Sequence, residues 1–258
     1  MITNKRRDNR FVISSKGLRL WGLLFVAAGL FGRTIVQNGL LQLGSLSTDE
    51  LLAAMDASES IMQYATLALT LQAIESLATP IFAFLLVEGY IHTSDIKKYM
   101  IRVGILAAAS ELLFNFATTG KIFDLDSRNP VFGLLLALVV LYLFNRFPEK
   151  KIGHIAIKVL VFAISFAWVE MLRIQDGAPI VLMVSVFWLF RKKSGLRILF
   201  GCVAAFACAL FSPFYMFSPL AFIPIFMYNG QRGEENKIMN YAVYPVMLIV
   251  FAIATTLV

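Results

Sequence analysis

IMQYATLALTLQAIESLATPIFAFLLVEGYI, residues 61–91, carries only two charges, Glu75 and Glu88. About 20 apolar helical residues suffice to cross a bilayer core roughly 30 Å thick. The run therefore reads as a membrane span, long enough to tilt or to break near Thr79-Pro80, where proline removes a backbone donor and frees a carbonyl. Working outward, runs of the same kind lie at about 17–41, 99–118, 130–147, 155–173, 177–190, 196–212, 213–229 and 238–257. The sixth of the nine is short, and only Ser212-Pro213 divides the seventh from the eighth. Composition agrees: of 258 residues, 59% are hydrophobic and 15% charged, with a mean hydropathy of +0.76. A soluble fold could not cover that much apolar surface with so few charges. The sequence thus predicts an all-α, polytopic transmembrane helical bundle of about nine spans, forming one integral membrane domain over 1–258. Soluble enzyme classes are excluded.

Charge placement sets the direction. With the amino terminus in the cytoplasm and nine alternating spans, 19 of the 23 Lys and Arg fall on the cytoplasmic side. Arg33, Lys121, Arg128 and Arg173 are the exceptions, and the asymmetry follows the positive-inside rule. Residues 1–16 read as a basic cytoplasmic tail, with no apolar core and cleavage site to make it a signal peptide. The net charge of +7 is then topological: the lipid bilayer is a partner and nucleic acid is not. Between the first two spans, LSTDELLAAMDASES sets Leu51, Leu52 and Met55 among acids at helical spacing, so 44–60 reads as an extracytoplasmic amphipathic loop. Cys202 and Cys208 lie in one apolar run with no His or acid nearby and read as small packing residues; no metal site is expected.

Ionisable groups at membrane depth are costly unless paired or wet, so function is sought among them. Glu88 and Arg102 lie near the inner ends of consecutive spans and are expected to form an interhelical ion pair. Glu111 and Asn115 are four apart, share one helix face, and are expected to line a cavity. Glu75, with Ser76 and Thr79 beside it, makes a polar site in an apolar segment, facing a ligand or pairing with Arg33. His92 ends a span and reads as a cap or a base; His154 sits in a basic loop suited to lipid headgroups. Asp176-Gly177 reads as the start of the sixth span, where an acid complements the helix dipole. Phosphate-binding glycine loops, HExxH and Gly-x-Ser-x-Gly are absent.

The stretch from Pro80 to Phe116 carries a Pro-Ile-Phe-x-Phe-Leu-Leu-Val-Glu-Gly run (Pro80 to Gly89), His92-Thr93, Lys98-Tyr99 with Arg102, and Ser110-Glu111 with Phe114. It resembles the TraX family, multi-spanning bacterial membrane proteins named after the factor that N-acetylates conjugative pilin. The likeness continues more weakly through Asn129, Asp176-Gly177 and Tyr244-Pro245. It implies a bacterial cytoplasmic membrane location, acetyl-CoA as donor, and acetyl transfer to a peptide amine or sugar hydroxyl. Glu88, His92 and Glu111 are then the catalytic candidates, and Arg102, Asn115 and Glu75 the substrate-binding ones. The chain departs from the family pattern at Gly29-Leu30, where an Asp-His pair is usual, at Glu75-Ser76, where Gly-Arg is usual, and at Met247, where a His follows Tyr-Pro. His92 and His154 are its only histidines. Two other readings stand beside the enzyme: a non-catalytic subunit or scaffold with a membrane-protein or peptide partner, and a small transporter or lipid-handling protein.

Overall fold

Pro80 has no amide hydrogen, so the carbonyl four residues upstream, on Ser76, loses its helical partner. The long apolar run breaks there. A computed structural model describes residues 12–41, 53, 55–56, 58–147, 152–233 and 237–257. Helix α1 (Ser15–Phe31) continues into a π-helical segment, Gly32–Leu40. The broken run forms α2 (Glu59–Glu75) and α3 (Ala78–His92), hinged at Ser76-Leu77 rather than at Thr79-Pro80. Then come α4 (Ile96–Thr119), α5 (Val131–Arg146), α6 (Ile152–Met171), α7 (Gly177–Leu189) and α8 (Ser194–Ala207). Two 3-10 segments, Cys208–Leu210 and Pro213–Ala221, lead to α9 (Phe222–Phe226), and α10 (Lys237–Thr255) ends the fold. No strand occurs among the described residues, so the all-α bundle holds.

This is a membrane protein. Four helical stretches are long and apolar enough to cross a bilayer: Ser15–Leu40, Glu59–His92, Ile96–Thr119 and Ile152–Met171. Val131–Arg146, Gly177–Leu189, Ser194–Leu210, Pro213–Phe226 and Tyr241–Thr255 are apolar but shorter. Each matches one of the nine runs in the sequence. The tail as far as residue 11, and Leu51 and Leu52 of the amphipathic loop, lie outside the described residues; Met55 is helical.

The helix apolar on every side is the one at the centre. α7, GAPIVLMVSVFWL, is buried over most of its length and packs on α3, α5, α6 and α8. The rings of Phe84 and Phe187 meet edge to face within this core at 5.5 Å. α6 is also long and apolar but is mostly exposed. α3 packs on α1 and α7, while α4 packs on α5 and α10. The chain-consecutive helices α3 and α4 therefore sit side by side only at their shared turn.

That arrangement corrects one expectation. Glu88 does not pair with Arg102: its Oε1 accepts from Nη1 of Arg197 on α8 at 2.6 Å, and the guanidinium lies over the Phe84 ring. Arg102 instead donates from Nε to the Lys98 carbonyl at 3.1 Å. α3 turns this face toward α7 and α8, so the cation that reaches Glu88 comes from a segment more than a hundred residues away.

Candidate functional site

Asp95 opens α4 by accepting the Lys98 amide at Oδ1, 3.1 Å away, and this bond together with the Lys98 ammonium holds its carboxyl below the usual range. The turn gathers the end of α3 and the start of α4 beside the start of α1. The chain from Met227 to Gln231 is tied to the same place: Ile13 donates to Met227 O, Asn229 to Ile13 O and Ser15 to Gln231 O, at 2.9–3.0 Å. Arg19, Arg102 and Arg232 thus surround one cavity of about 380 Å³, with Tyr99, Tyr241 and His92 also in its wall. Gly89 is needed here, because a Cβ would press on the Tyr99 hydroxyl at 2.8 Å. We call this the basic end.

At the other end of the bundle, α4 stops at Gly120, whose left-handed backbone (φ 71°) lets its amide close on Phe116 O. The following loop is held from α4. Glu111 accepts from Arg128 Nη1 at 3.2 Å and, at its second oxygen, from the Asn129 amide at 3.0 Å and Nδ2 at 2.7 Å. Asn129 is fully buried and also donates to Ala107 O, while its Oδ1 takes the Val131 amide and starts α5. Asn115 reaches the same loop at Asp124 O, 3.5 Å away. Arg128 then pairs in backbone with the turn after α6, donating to Arg173 O and accepting from Gln175 N, both at 2.9 Å. Arg173 and Asp126 form an ion pair across the same two loops.

That turn has left-handed backbone at two non-glycine residues, Arg173 (φ 52°) and Asp176 (φ 56°). Such conformations cost about 1 kcal/mol or more, and they cluster at functional sites. They put Gln175 and Asp176 over the π-helical segment that follows α1. Gln175 Oε1 accepts from Arg33 Nη1 at 2.7 Å, and Nη2 of Arg33 pairs with Glu75. Both side chains of the pair are at least four-fifths buried. The expected Arg33 partner for Glu75 is therefore present, and hydrogen bonds run continuously from Glu111 through Arg128 and Gln175 to Arg33 and Glu75. Tyr215 closes the group, sharing a 3.0 Å hydrogen bond with Thr79 and meeting the Asp176 side chain. Ser76 ties the hinge to this segment by donating to Phe214 O at 2.9 Å.

A middle cavity of about 220 Å³ lies between the two ends. Leu30, Phe82, Phe114 and Leu134 wall it. It shares Arg19, Tyr99, Arg102 and Arg232 with the basic-end cavity, and Glu75 and Asp176 with a polar cavity of about 420 Å³ at the far end. The three lie in series: guanidinium groups, then an apolar neck, then two carboxylates. Chemically this can hold an anion at one end, thread an apolar arm, and present a proton acceptor where the arm ends.

Of the residues singled out in the sequence, Glu88, His92 and Arg102 line the basic-end cavity and Glu75 the junction of the other two. Glu111 and Asn115 line none of the three; they hold the loop that positions Gln175 and Asp176. Sequence reasoning took Asp176 for a helix start and passed over Arg19, Tyr99, Arg232, Tyr241 and Tyr215. The available signal was the αL-tolerant Asp176-Gly177 pair and Tyr244, which also faces the middle cavity. Among the described residues no cluster of His, Cys, Asp or Glu could hold a metal.

No curated protein and no solved structure matches the chain. A family described as TraX protein matches residues 52–255. The match takes in α2 to α10, hence Glu75, Arg102, Glu111 and Asp176, while α1 and the π-helical segment, which bring Arg19 and Arg33, precede it. The chain belongs to the TraX family.

Proposed function

We propose that this protein is a membrane acyltransferase that takes acetyl from acetyl-CoA at its basic end and passes it to an acceptor at its far end. The amino terminus and the basic end face the cytoplasm, and the membrane is the bacterial cytoplasmic membrane. The observation that carries this reading is the order of the three cavities. A diphosphate-bearing nucleotide calls for guanidinium groups, which Arg19, Arg102 and Arg232 supply, with Glu88 and His92 at the rim. The long acyl-bearing arm calls for a narrow neck, and the thioester end then lies by Glu75 and Asp176.

Glu75 is engaged by Arg33, so Asp176 is the group assigned as base. The acceptor oxygen or nitrogen bonds to the acetyl carbonyl carbon, the carbon–sulfur bond breaks, and the acceptor proton passes by way of the Asp176 carboxylate to the leaving thiolate. Arg33 and Tyr215 are placed to stabilise charge on the carbonyl oxygen. Loss of a positioned base slows such a step by about 10²–10⁴-fold. Asn tolerates the αL backbone that Asp176 adopts, so Asp176→Asn tests the base without disturbing the turn. Purified protein in nanodiscs, given acetyl-labelled acetyl-CoA, is expected to hydrolyse it slowly, water taking the acceptor's place and free acetate and coenzyme leaving, and Asp176→Asn to bind acetyl-CoA normally while turnover falls by at least a hundredfold. Equal turnover in the variant would remove Asp176 from the reaction. Absence of acetyl-CoA binding by folded wild-type protein would leave a non-catalytic subunit as the better account.

A further inference from the structure

The far-end cavity is large for a water-filled gap and falls within the range of roughly 300–1,000 Å³ typical of small-molecule sites. Its chemistry is unusual for a pocket in an apolar bundle. Four carboxamides face it, Gln37, Asn38, Gln72 and Gln175, together with hydroxyls that include Ser127 and Ser212. Among the described residues its one cation is Arg33, which is matched by Glu75 and faces a second carboxylate, Asp176. An anionic ligand such as a phosphate would need surplus positive charge, and the surplus here is negative. An apolar ligand would leave the amide atoms not already bonded within the protein without partners, at a cost of about 1–3 kcal/mol for each group so buried.

The amides are arranged as pairs of donor and acceptor. Gln72 Nε2 donates to Gln37 Oε1 at 3.1 Å, which leaves Gln37 Nε2 as a donor and Gln72 Oε1 as an acceptor without a side-chain partner among the described residues. Each hydroxyl of a polyol both donates and accepts, so two adjacent hydroxyls can engage one such pair. Asn38 is oriented by donating to Thr118 O at 2.8 Å. The π-helical winding of Gly32–Leu40 brings this about: Arg33, Gln37 and Asn38 come to one side of α1, where an α-helix of 3.6 residues per turn would spread them further.

From these observations we infer that the far-end cavity binds a neutral carbohydrate, whose hydroxyl is the acetyl acceptor. This rests on the acyltransferase reading for the chemistry but not for the binding. The acceptor hydroxyl oxygen forms the ester bond to the acetyl carbon, the carbon–sulfur bond breaks, and the hydroxyl proton ends on the thiol of the free coenzyme. A peptide amine would bring a cation to Asp176 in the same cavity, so competition between sugar and peptide is what separates the two acceptors.

The test is saturation-transfer NMR on the full chain in nanodiscs, with maltose, cellobiose and chitobiose as probes and an amine-terminated decapeptide as competitor. Acetyl-CoA binding is measured separately on the same sample. At least one disaccharide is expected to bind saturably and to resist displacement by the peptide, and Gln37→Leu and Gln72→Leu are each expected to weaken it at least tenfold. Acetyl-CoA binding, at the opposite end, is expected to be unchanged in both. No saturable sugar signal in protein that binds acetyl-CoA, displacement by the peptide, or undiminished sugar binding in both variants would overturn the inference. Sugar binding without acetyl-CoA binding would sustain the carbohydrate site and defeat both the acyltransferase reading and the acceptor role.

Discussion

Gly29 lies on α1 directly against Glu75, and a Cβ added there would overlap both the carboxylate and the Cβ of that side chain. Gly29→Ala is therefore a sharp probe of the carboxylate site. In an unconstrained helix this change stabilises by about 1 kcal/mol. Here α1 and α2 must part by on the order of 1 Å, since carbon atoms pack at about 3.5–4.0 Å. Overpacking of this kind costs about 1–3 kcal/mol. Displacing Glu75 also weakens its charge-assisted bond from Arg33, worth about 1.5–3 kcal/mol. The net result is a destabilisation of about 3 kcal/mol, or a fall in midpoint of roughly 6–12 °C by the scaling for a chain of this size. Thermal unfolding in detergent, followed by tryptophan fluorescence, reads it directly. A variant as stable as wild type, or more so, would show that Glu75 does not occupy the space over Gly29 and that the Arg33–Glu75 pair is misplaced.

Further outcomes follow from the contacts at either end. Glu88→Gln leaves Arg197 buried against Phe84 with its charge unmatched, and is expected to destabilise by about 3 kcal/mol; an unchanged unfolding midpoint would contradict the pairing. Glu111→Gln loosens the loop carrying Arg128 and Asn129, so it is expected to lower turnover through misplaced Gln175 and Asp176 while acetyl-CoA binding persists. Loss of acetyl-CoA binding with turnover per bound donor preserved would place Glu111 elsewhere. Asp95 has its carboxyl held low by the Lys98 amide, so its contribution is present above the ordinary carboxylate range and is lost as pH falls through the depressed value. Asp95→Ala is accordingly expected to lower the midpoint at neutral pH, Asp95→Asn much less, and the difference from wild type to shrink in acid; a difference that stays constant with pH would contradict the assignment.

Hydropathy alone located the helices well, because apolar length is what a bilayer selects. It could not tell α6 from α7. Both are strongly apolar runs, yet one is mostly exposed and the other is the centre of the bundle, and lipid and protein interior are equally apolar surroundings. The Arg33–Glu75 pair was legible because so few charges stand at that depth. Glu88 was assigned to Arg102 on the assumption that consecutive helices pack together, and the cation came instead from α8. Asp176 escaped notice because an acid before a helix has an ordinary explanation; only the left-handed backbone and the cavity beneath it set it apart. The mouth of three arginines was legible only in Arg102, the one singled out in the sequence: Arg19 and Arg232 are far from it along the chain and each looks like a topological charge.

The central claim is that acetyl passes through the neck from one end of the bundle to the other. It is tested by placing acetyl-labelled acetyl-CoA inside sealed proteoliposomes with the basic end inward, and a mixture of maltose, cellobiose and chitobiose outside. The account predicts labelled ester on an external sugar, free coenzyme retained inside, and at least a hundredfold loss of label in Asp176→Asn. Label that stays inside, or that emerges still attached to the coenzyme as in a transporter, would contradict it.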